Sequence, residues 1–429
     1  MTDLSNKTAL VRDNGFFLGM AHRLAKDFGR VFYCPQYRQN NPDYNEGVIG
    51  SGFGDIVHCL DPWLVKREVD CFVYPDVGFM GEQLELRSQG YAVWGAAKAM
   101  RLETNREFFL EKLAELGLDV PPYQVVVGVT ALGQFLKDRK SIYIKLSKWR
   151  RTWETYHWRS FKEDGHMLDF WAVKFGGNKE KIRFICFDEI ETMLEIGGDT
   201  YCIHGEWPDM MGHGLEKKDD ALFTAITKKT EMPEELTDIM DAFSPFLGEM
   251  AAQTQMSFEV RVSPEGNYFI DATTRGGLPS TATFLKAKNV SEIVLAGAHG
   301  EMVQIDYGFK FSAECIVRIK SAEGVWGTIV LEDELKDALM LCDCCESDGQ
   351  PWFPTDEKEI EEIGWLRSTG DTPTEAAEEM NRLADLLPDG ADAAVESLAA
   401  IIREVDEAKS AGIPFTEQKM PDPEIVLAP

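Results

Sequence analysis

The chain has 429 residues, 44% hydrophobic and 27% charged, a balance that suits about two to four globular units and excludes a wholly disordered polypeptide. No run approaches the ~18 uninterrupted apolar residues of a membrane span, and the N-terminus lacks the basic-then-apolar pattern of a secretory leader. The net charge of −29 repels polyphosphate at long range and argues against non-specific nucleic-acid binding. Nine cysteines, an odd number, read as reduced thiols of a cytoplasmic protein rather than a disulfide framework.

The charge is unevenly placed. Leu331 to Pro429 holds 26 acidic against 7 basic residues, whereas Lys137 to Lys162 holds nine basic residues against Asp138 and Glu154. A basic island in an acidic protein suits one compact anion, although a solvated basic face has the same composition.

In chain order, Lys7–Asp13 predicts a strand. Gly15–Phe28 predicts a helix closed by Gly29 as its C-terminal glycine. Arg30–Cys34 and the apolar run Asp70–Tyr74 predict further strands, then a helix over Gly81–Gln89 and a strand over Tyr91–Trp94. That alternation implies a parallel open sheet, and no dinucleotide fingerprint accompanies it. Glu103–Leu116 predicts one amphipathic helix, Tyr123–Val129 a strand, and Ser141–Leu146 a strand with Lys145 set in it. Strands follow at Lys181–Phe187, Thr200–His204, Ser257–Val262 and Tyr268–Asp271, with a helix at Asn289–His299. The last hundred residues predict strands at Glu314–Ile319 and Thr328–Leu331, then two helices. One of these starts at the capping box Thr372-Pro-Thr-Glu375.

The most informative segment runs Phe258-Glu-Val-Arg-Val-Ser-Pro-Glu-Gly-Asn-Tyr-Phe-Ile-Asp-Ala-Thr-Thr-Arg275. Pro264-Glu-Gly-Asn267 reads as a hairpin turn, and Glu259 and Asp271 lie equally far from its centre. Carboxylates opposed across antiparallel strands repel unless a cation lies between them. Magnesium takes one or two carboxylates together with substrate phosphates, which is the ligand set on offer. A hairpin whose carboxylates face water has the same pattern.

On these residues the chain resembles the ATP-grasp ligases, whose metal hairpin runs glutamate, turn, acid-x-asparagine-x-arginine. Glu259 with Asp271-Ala-Thr-Thr-Arg275 follows that order. Tyr91–Gly95, Leu102–Arg106 and Leu116–Pro121 resemble the opening of the fold in glycinamide ribonucleotide synthetase, and Gly364–Ala376 resembles that family's C-terminal domain. The resemblance implies ATP and Mg²⁺, with Mn²⁺ as a substitute. Glu259, Asp271 and Thr273 would hold the metal. Arg106, Lys145, Lys148, Arg150, Arg151 and Lys217 would contact phosphate, and Glu189, Glu191 and Glu195 would read adenine and ribose. Arg275 with Gly276 and Gly277 would bind substrate, Arg275 and Lys145 acting in catalysis. Two departures stand out: Thr273 and Asp271 replace the usual asparagine and glutamate, and the phosphate-covering loop Ser147–Thr155 has no glycine. Trp149, Trp153 and Trp158 near that loop suit lid packing or base stacking, and Cys342-Asp-Cys-Cys345 lacks zinc spacing.

The expected fold class is therefore multidomain α/β: an N-terminal Rossmann-like parallel-sheet domain over 1–95, an ATP-grasp core over 96–306 and a small acidic α+β domain over 307–429. The resemblance implies a ligase that joins a small carboxylate, such as an amino acid, to an amine through an acyl phosphate, releasing ADP and phosphate. The alternative is a non-catalytic nucleotide-binding protein with the same fold.

Overall fold

A computed structural model describes residues 2–35, 48–148, 155–190, 194–218, 220–320, 326–354, 360–410 and 412. The N-terminal segment comprises β1 (Thr8–Asp13), α1 (Leu18–Ala25), β2 (Arg30–Pro35), β3 (Val57–His58), α2 (Pro62–Val65), β4 (Cys71–Val73), α3 (Met80–Ser88) and β5 (Val93–Trp94). All five strands are parallel, in the order β3-β2-β1-β4-β5. The order reverses direction at β1 and β4, so the chain leaves a crevice beyond their carboxyl ends. Leu10, Phe32, Phe72 and Val93 fill the core under α3; each such buried side chain contributes about 1.5–3 kcal/mol.

Next come α4 (Arg101–Thr104), α5 (Arg106–Glu115), β6 (Tyr123–Val127), α6 (Val129–Leu136), β7 (Ile142–Leu146), β8 (Thr155–Trp158), α7 (Phe161–Asp164), α8 (His166–Phe175) and β9 (Arg183–Asp188). The strands form an antiparallel sheet in the order β6-β9-β7-β8. The inward residues of β7, Ile142, Ile144 and Leu146, pack with Leu132, Trp158 and Phe184.

Then follow β10 (Leu194–Ile203), β11 (Met210–Lys217), β12 (Ala221–Lys228), α9 (Glu234–Glu249), β13 (Gln253–Ser263), β14 (Gly266–Thr273), α10 (Thr281–Lys286), α11 (Val290–Ala298), β15 (Phe311–Lys320), β16 (Gly327–Thr328), α12 (Asp333–Ala338), β17 (Leu339–Leu341), β18 (Cys345–Ser347), β19 (Gln350–Phe353), β20 (Ile360–Gly370), α13 (Pro373–Ala384), β21 (Ala391–Ala393) and α14 (Val395–Ser410). A large sheet runs β14-β13-β10-β11-β12-β15-β20-β17, with β21 on β15. The capping box at Thr372 is present, with both its hydrogen bonds. Two compact units result. The larger comprises Met1–Ala99, Ile196–Phe258 and Thr273–Pro429; the smaller comprises Met100–Glu195 and Glu259–Ala272.

Several sequence expectations need correction. Helix α1 ends at Ala25, and Gly29 does not cap it: its N–H donates to Leu4 O at 3.1 Å. Glycine is needed there because a Cβ would lie 2.0 Å from Ser5 O. The single helix over Glu103–Leu116 is two, broken at extended Asn105. The C-terminal region is richer in strands than expected, Gly364–Gly370 belonging to β20. Trp158 is wholly buried and cannot stack on a base; Trp149 and Trp153 lie outside the described residues. Among the described residues, no helix is long and apolar enough to cross a membrane.

Candidate functional site

The break at Asn105 is what positions the first cation. Asn105 bridges to Lys148, and the N–H of Arg106 donates to Ser147 O at 2.9 Å. The start of α5 is thereby pinned to the end of β7, and Phe109 packs edge-on against Phe269 of β14 at 5.1 Å. Strand alternation does the rest. With Ile144 and Leu146 turned inward, Lys145 points to the other face of β7. Arg106, only 7% exposed, donates from Nη1 to Asp271 Oδ1 at 3.3 Å, and Lys145 donates from Nζ to Asp271 Oδ2 at 3.4 Å. One carboxylate thus holds two cations, one on each oxygen, and all three residues belong to the smaller unit.

Glu259 lies on β13, the neighbour of β14, and is partly exposed between buried Phe258 and Val260. The hairpin turn is braced by Asp119, whose Oδ2 accepts from the N–H of Asn267 at 3.1 Å. Among the described residues no cluster of three or more His, Cys, Asp or Glu could hold a metal. A pair of carboxylates fits Mg²⁺, which completes its shell with phosphate and water, and does not fit a closed structural metal site.

The other expected residues are dispersed. Lys148 follows β7. Beside it, Glu107 accepts from Arg183 Nε at 2.8 Å and from the Ser147 hydroxyl, and the Arg183 hydrogen bond holds its carboxyl below the ordinary value. Glu189 accepts from Ser141 Oγ at 2.5 Å, and Glu195 accepts from Arg261 Nε at 2.9 Å. Lys217 ends β11 in the larger unit, and Thr273 closes β14. Arg150, Arg151 and Glu191 lie outside the described residues. The cysteines Cys342 and Cys344 are buried free thiols.

Arg275, Gly276 and Gly277 belong to the larger unit and dock on the loop after β4. The N–H of Gly276 donates to Pro75 O at 3.0 Å, and Arg275 Nε lies 3.8 Å from Asp76 Oδ1. Asp76 is itself fixed by Asn14 Nδ2 at 2.6 Å, so the crevice of the parallel sheet anchors the arginine. A Cβ on Gly276 would lie 2.3 Å from Thr281 Oγ1 and 2.6 Å from Phe17 Cε1, which makes glycine obligatory there. Sequence reasoning did not find Asp76, nor the buried acids Asp199 and Glu314. The available signals were Asp199 after Gly197-Gly198, and Glu314 as the only charge among Phe311-Ser-Ala-Glu-Cys-Ile-Val317.

A parallel N-terminal sheet followed by antiparallel sheets, one containing the Lys145 strand and another edged by the Glu259–Asp271 hairpin, matches the ATP-grasp fold. Comparison with solved structures agrees. Phosphoribosylamine–glycine ligase from Thermotoga maritima matches with a TM-score of 0.66 at 13% identity, over 90% of this chain and 98% of that one. The biotin carboxylase domain of 2-oxoglutarate carboxylase from Hydrogenobacter thermophilus, solved with MgADP and bicarbonate, matches with a TM-score of 0.63 at 13% identity over 96% of each chain. An L-amino acid ligase from Bacillus licheniformis matches with a TM-score of 0.57 at 13% identity, over 90% of this chain and 98% of that one. No protein-family model matches the sequence, and no curated protein matches it.

Proposed function

We propose that the chain is an ATP- and Mg²⁺-dependent carboxylate–amine ligase, of the kind represented by phosphoribosylamine–glycine ligase and L-amino acid ligase. The observation that carries this reading is Asp271 held between Arg106 and Lys145 on an ATP-grasp fold. In the absence of nucleotide the carboxylate keeps the two cations charge-paired. Arg106 and Lys145 are placed to exchange Asp271 for the phosphate oxygens of a triphosphate, and Asp271, freed of them, would hold the metal together with Glu259. Mg²⁺ held by these two carboxylates would supply charge neutralisation for the transferring phosphoryl group.

The chemistry has two steps. A carboxylate oxygen of the acid substrate attacks the γ-phosphorus and the bond to the β,γ-bridging oxygen breaks, giving an acyl phosphate and ADP. An amine then attacks the acyl carbon, the C–O bond to phosphate breaks so that phosphate departs with that oxygen and the bonding pair, and the nitrogen loses a proton to give the amide. Arg106 and Lys145 stabilise phosphoryl charge. Arg275 holds the carboxylate bidentately, its own orientation fixed by Asp76. Thr273 and the glycine-free loop favour a second reading, a nucleotide-binding protein without turnover.

The test is ADP release with Mg²⁺ and ATP across a panel of small acids and amines. Release that requires both an acid and an amine supports the ligase; Mg²⁺–ATP stabilisation without release from any pair supports the second reading.

A further inference from the structure

The larger unit holds two thiols that the phosphate chemistry does not use. In its parallel sheet, the register sets Arg12 of β1 opposite Cys34 of β2, and Tyr33 opposite His58 of the edge strand β3. Cys59 follows β3 directly, and its N–H donates to Tyr33 O at 2.8 Å, which carries the ladder one residue further. Cys59 therefore stands opposite Cys34, on the same face of the sheet. Both belong to the core under α3. Neighbouring strands run about 4.8 Å apart, inside the Cα separation of about 4.4–6.8 Å that a disulfide spans.

Both sulfurs have polar partners. Arg12 Nη1 donates to Cys34 Sγ at 3.4 Å, while Nη2 of the same guanidinium lies 3.3 Å from Glu82 Oε1. The thiols of Cys34 and Cys59 hydrogen-bond each other, and Cys59 Sγ donates to Asp61 O at 3.3 Å. The bond from Cys34 holds the Cys59 thiol below its ordinary value; the same bond, and then burial, holds Cys34 above its own. Burial raises the thiols of Cys71, Cys186, Cys202 and Cys315. Cys59 keeps 8% of its exposure and Cys34 none. The outer sulfur is thus the one that approaches the thiolate form, and the inner sulfur stands behind it. Filling the core asks nothing of a guanidinium at the sulfur.

We infer that Cys59 and Cys34 are a redox modification site: Cys59 reacts with a small hydroperoxide and Cys34 resolves the product to a reversible disulfide. The Cys59 thiolate, its proton released to solvent, attacks one peroxide oxygen. An S–O bond forms, the O–O bond breaks, and the other oxygen takes up a proton and leaves as water or an alcohol. Cys34 then attacks the sulfenic sulfur. The S–S bond forms, the S–O bond breaks, and the departing hydroxide takes the Cys34 proton to become water. Two thiols are oxidised to one disulfide and one hydroperoxide is reduced; an external dithiol reverses the change by exchange. The narrow access to Cys59 admits a molecule the size of hydrogen peroxide and excludes the tripeptide arms of glutathione disulfide.

The experiment uses the full chain, reduced and then freed of reductant. It is treated with hydrogen peroxide or with glutathione disulfide, the remaining thiols are alkylated, and the cysteine peptides are mapped by mass spectrometry. Peroxide should give the linked Cys34–Cys59 peptide before any other cysteine is oxidised, and dithiothreitol should reverse it. Iodoacetamide should modify Cys59 at least about tenfold faster than Cys71, Cys186, Cys202 or Cys315 in the folded chain. In Cys34→Ala, peroxide should leave a sulfenic acid on Cys59 that dimedone traps; in Cys59→Ala, Cys34 should stay a thiol. Absence of the linked peptide, its formation only in urea, or oxidation spread evenly over the nine cysteines overturns the inference. So does dimedone on Cys34, or glutathione disulfide acting as readily as peroxide. If either variant fails to fold, the wild-type map and the alkylation rates still decide it.

Discussion

Asp271→Asn removes the charge that holds Arg106 and Lys145 together while preserving the shape of the side chain. At separations of 3.3 and 3.4 Å and an effective dielectric constant of about 20, each pair is worth about 5 kcal/mol before desolvation. Breaking a well-buried pair costs about 3–5 kcal/mol. Asp271 keeps 28% of its side-chain exposure, and solvent screening lowers the expected loss to about 2–3 kcal/mol. For a unit of this size that is a fall in Tm of roughly 5–10 °C, measurable by scanning fluorimetry without nucleotide. Adding triphosphate without metal should restore more stability to the variant than to wild type, because the phosphates no longer compete with the Asp271 charge for Arg106 and Lys145. Mg²⁺ should then add little, and ADP release should fall at least about 100-fold. An unchanged Tm together with an intact Mg²⁺ effect would refute the idea that Asp271 serves both the cations and the metal.

Three further outcomes follow from other parts of the structure. His213 is buried, which pushes its imidazole down to about 3. Its folded value is below its unfolded one, so its contribution is complete above about pH 6.5 and is lost as the pH falls toward 3. Between pH 7 and pH 5, urea unfolding of wild type should lose about 2 kcal/mol more than that of His213→Gln; parallel curves would contradict this. Gly276→Ala forces a methyl group into Thr281 and Phe17 and should cost about 1–3 kcal/mol in urea titrations. Arg275→Gln should leave Mg²⁺–ATP stabilisation intact and raise the KM for the acid at least about tenfold; equal losses in both would place Arg275 with the phosphates instead.

The parallel sheet was legible because strands buried on both faces read as short apolar runs, as Cys71–Val73 does. Lys145 and Asp271 were legible because each interrupts such a run. The break at Asn105 was not, since good helix formers on both sides of Thr104-Asn105 read as one helix and the extended residue shows itself only in its bridge to Lys148, distant in sequence. β11 escaped detection because Gly212, His213 and Gly214 carry neither branched nor alternating apolar signal. The Gly29 assignment failed for a related reason: a glycine at a helix end and a glycine under a passing carbonyl look alike in sequence. Asp199 and Glu314 were hidden because their shared face depends on register across five strands, which no local window reports.

The most direct test of the central claim is calorimetric titration of a non-hydrolysable ATP analogue into wild type and Lys145→Ala, with Mg²⁺ and with chelator. Wild type should bind in a Mg²⁺-dependent manner, and Lys145→Ala should lose at least about tenfold in affinity while keeping its fold. Absence of nucleotide binding to wild type, or identical affinities for the two proteins, would contradict the assignment of Arg106, Lys145 and Asp271 as the phosphate site.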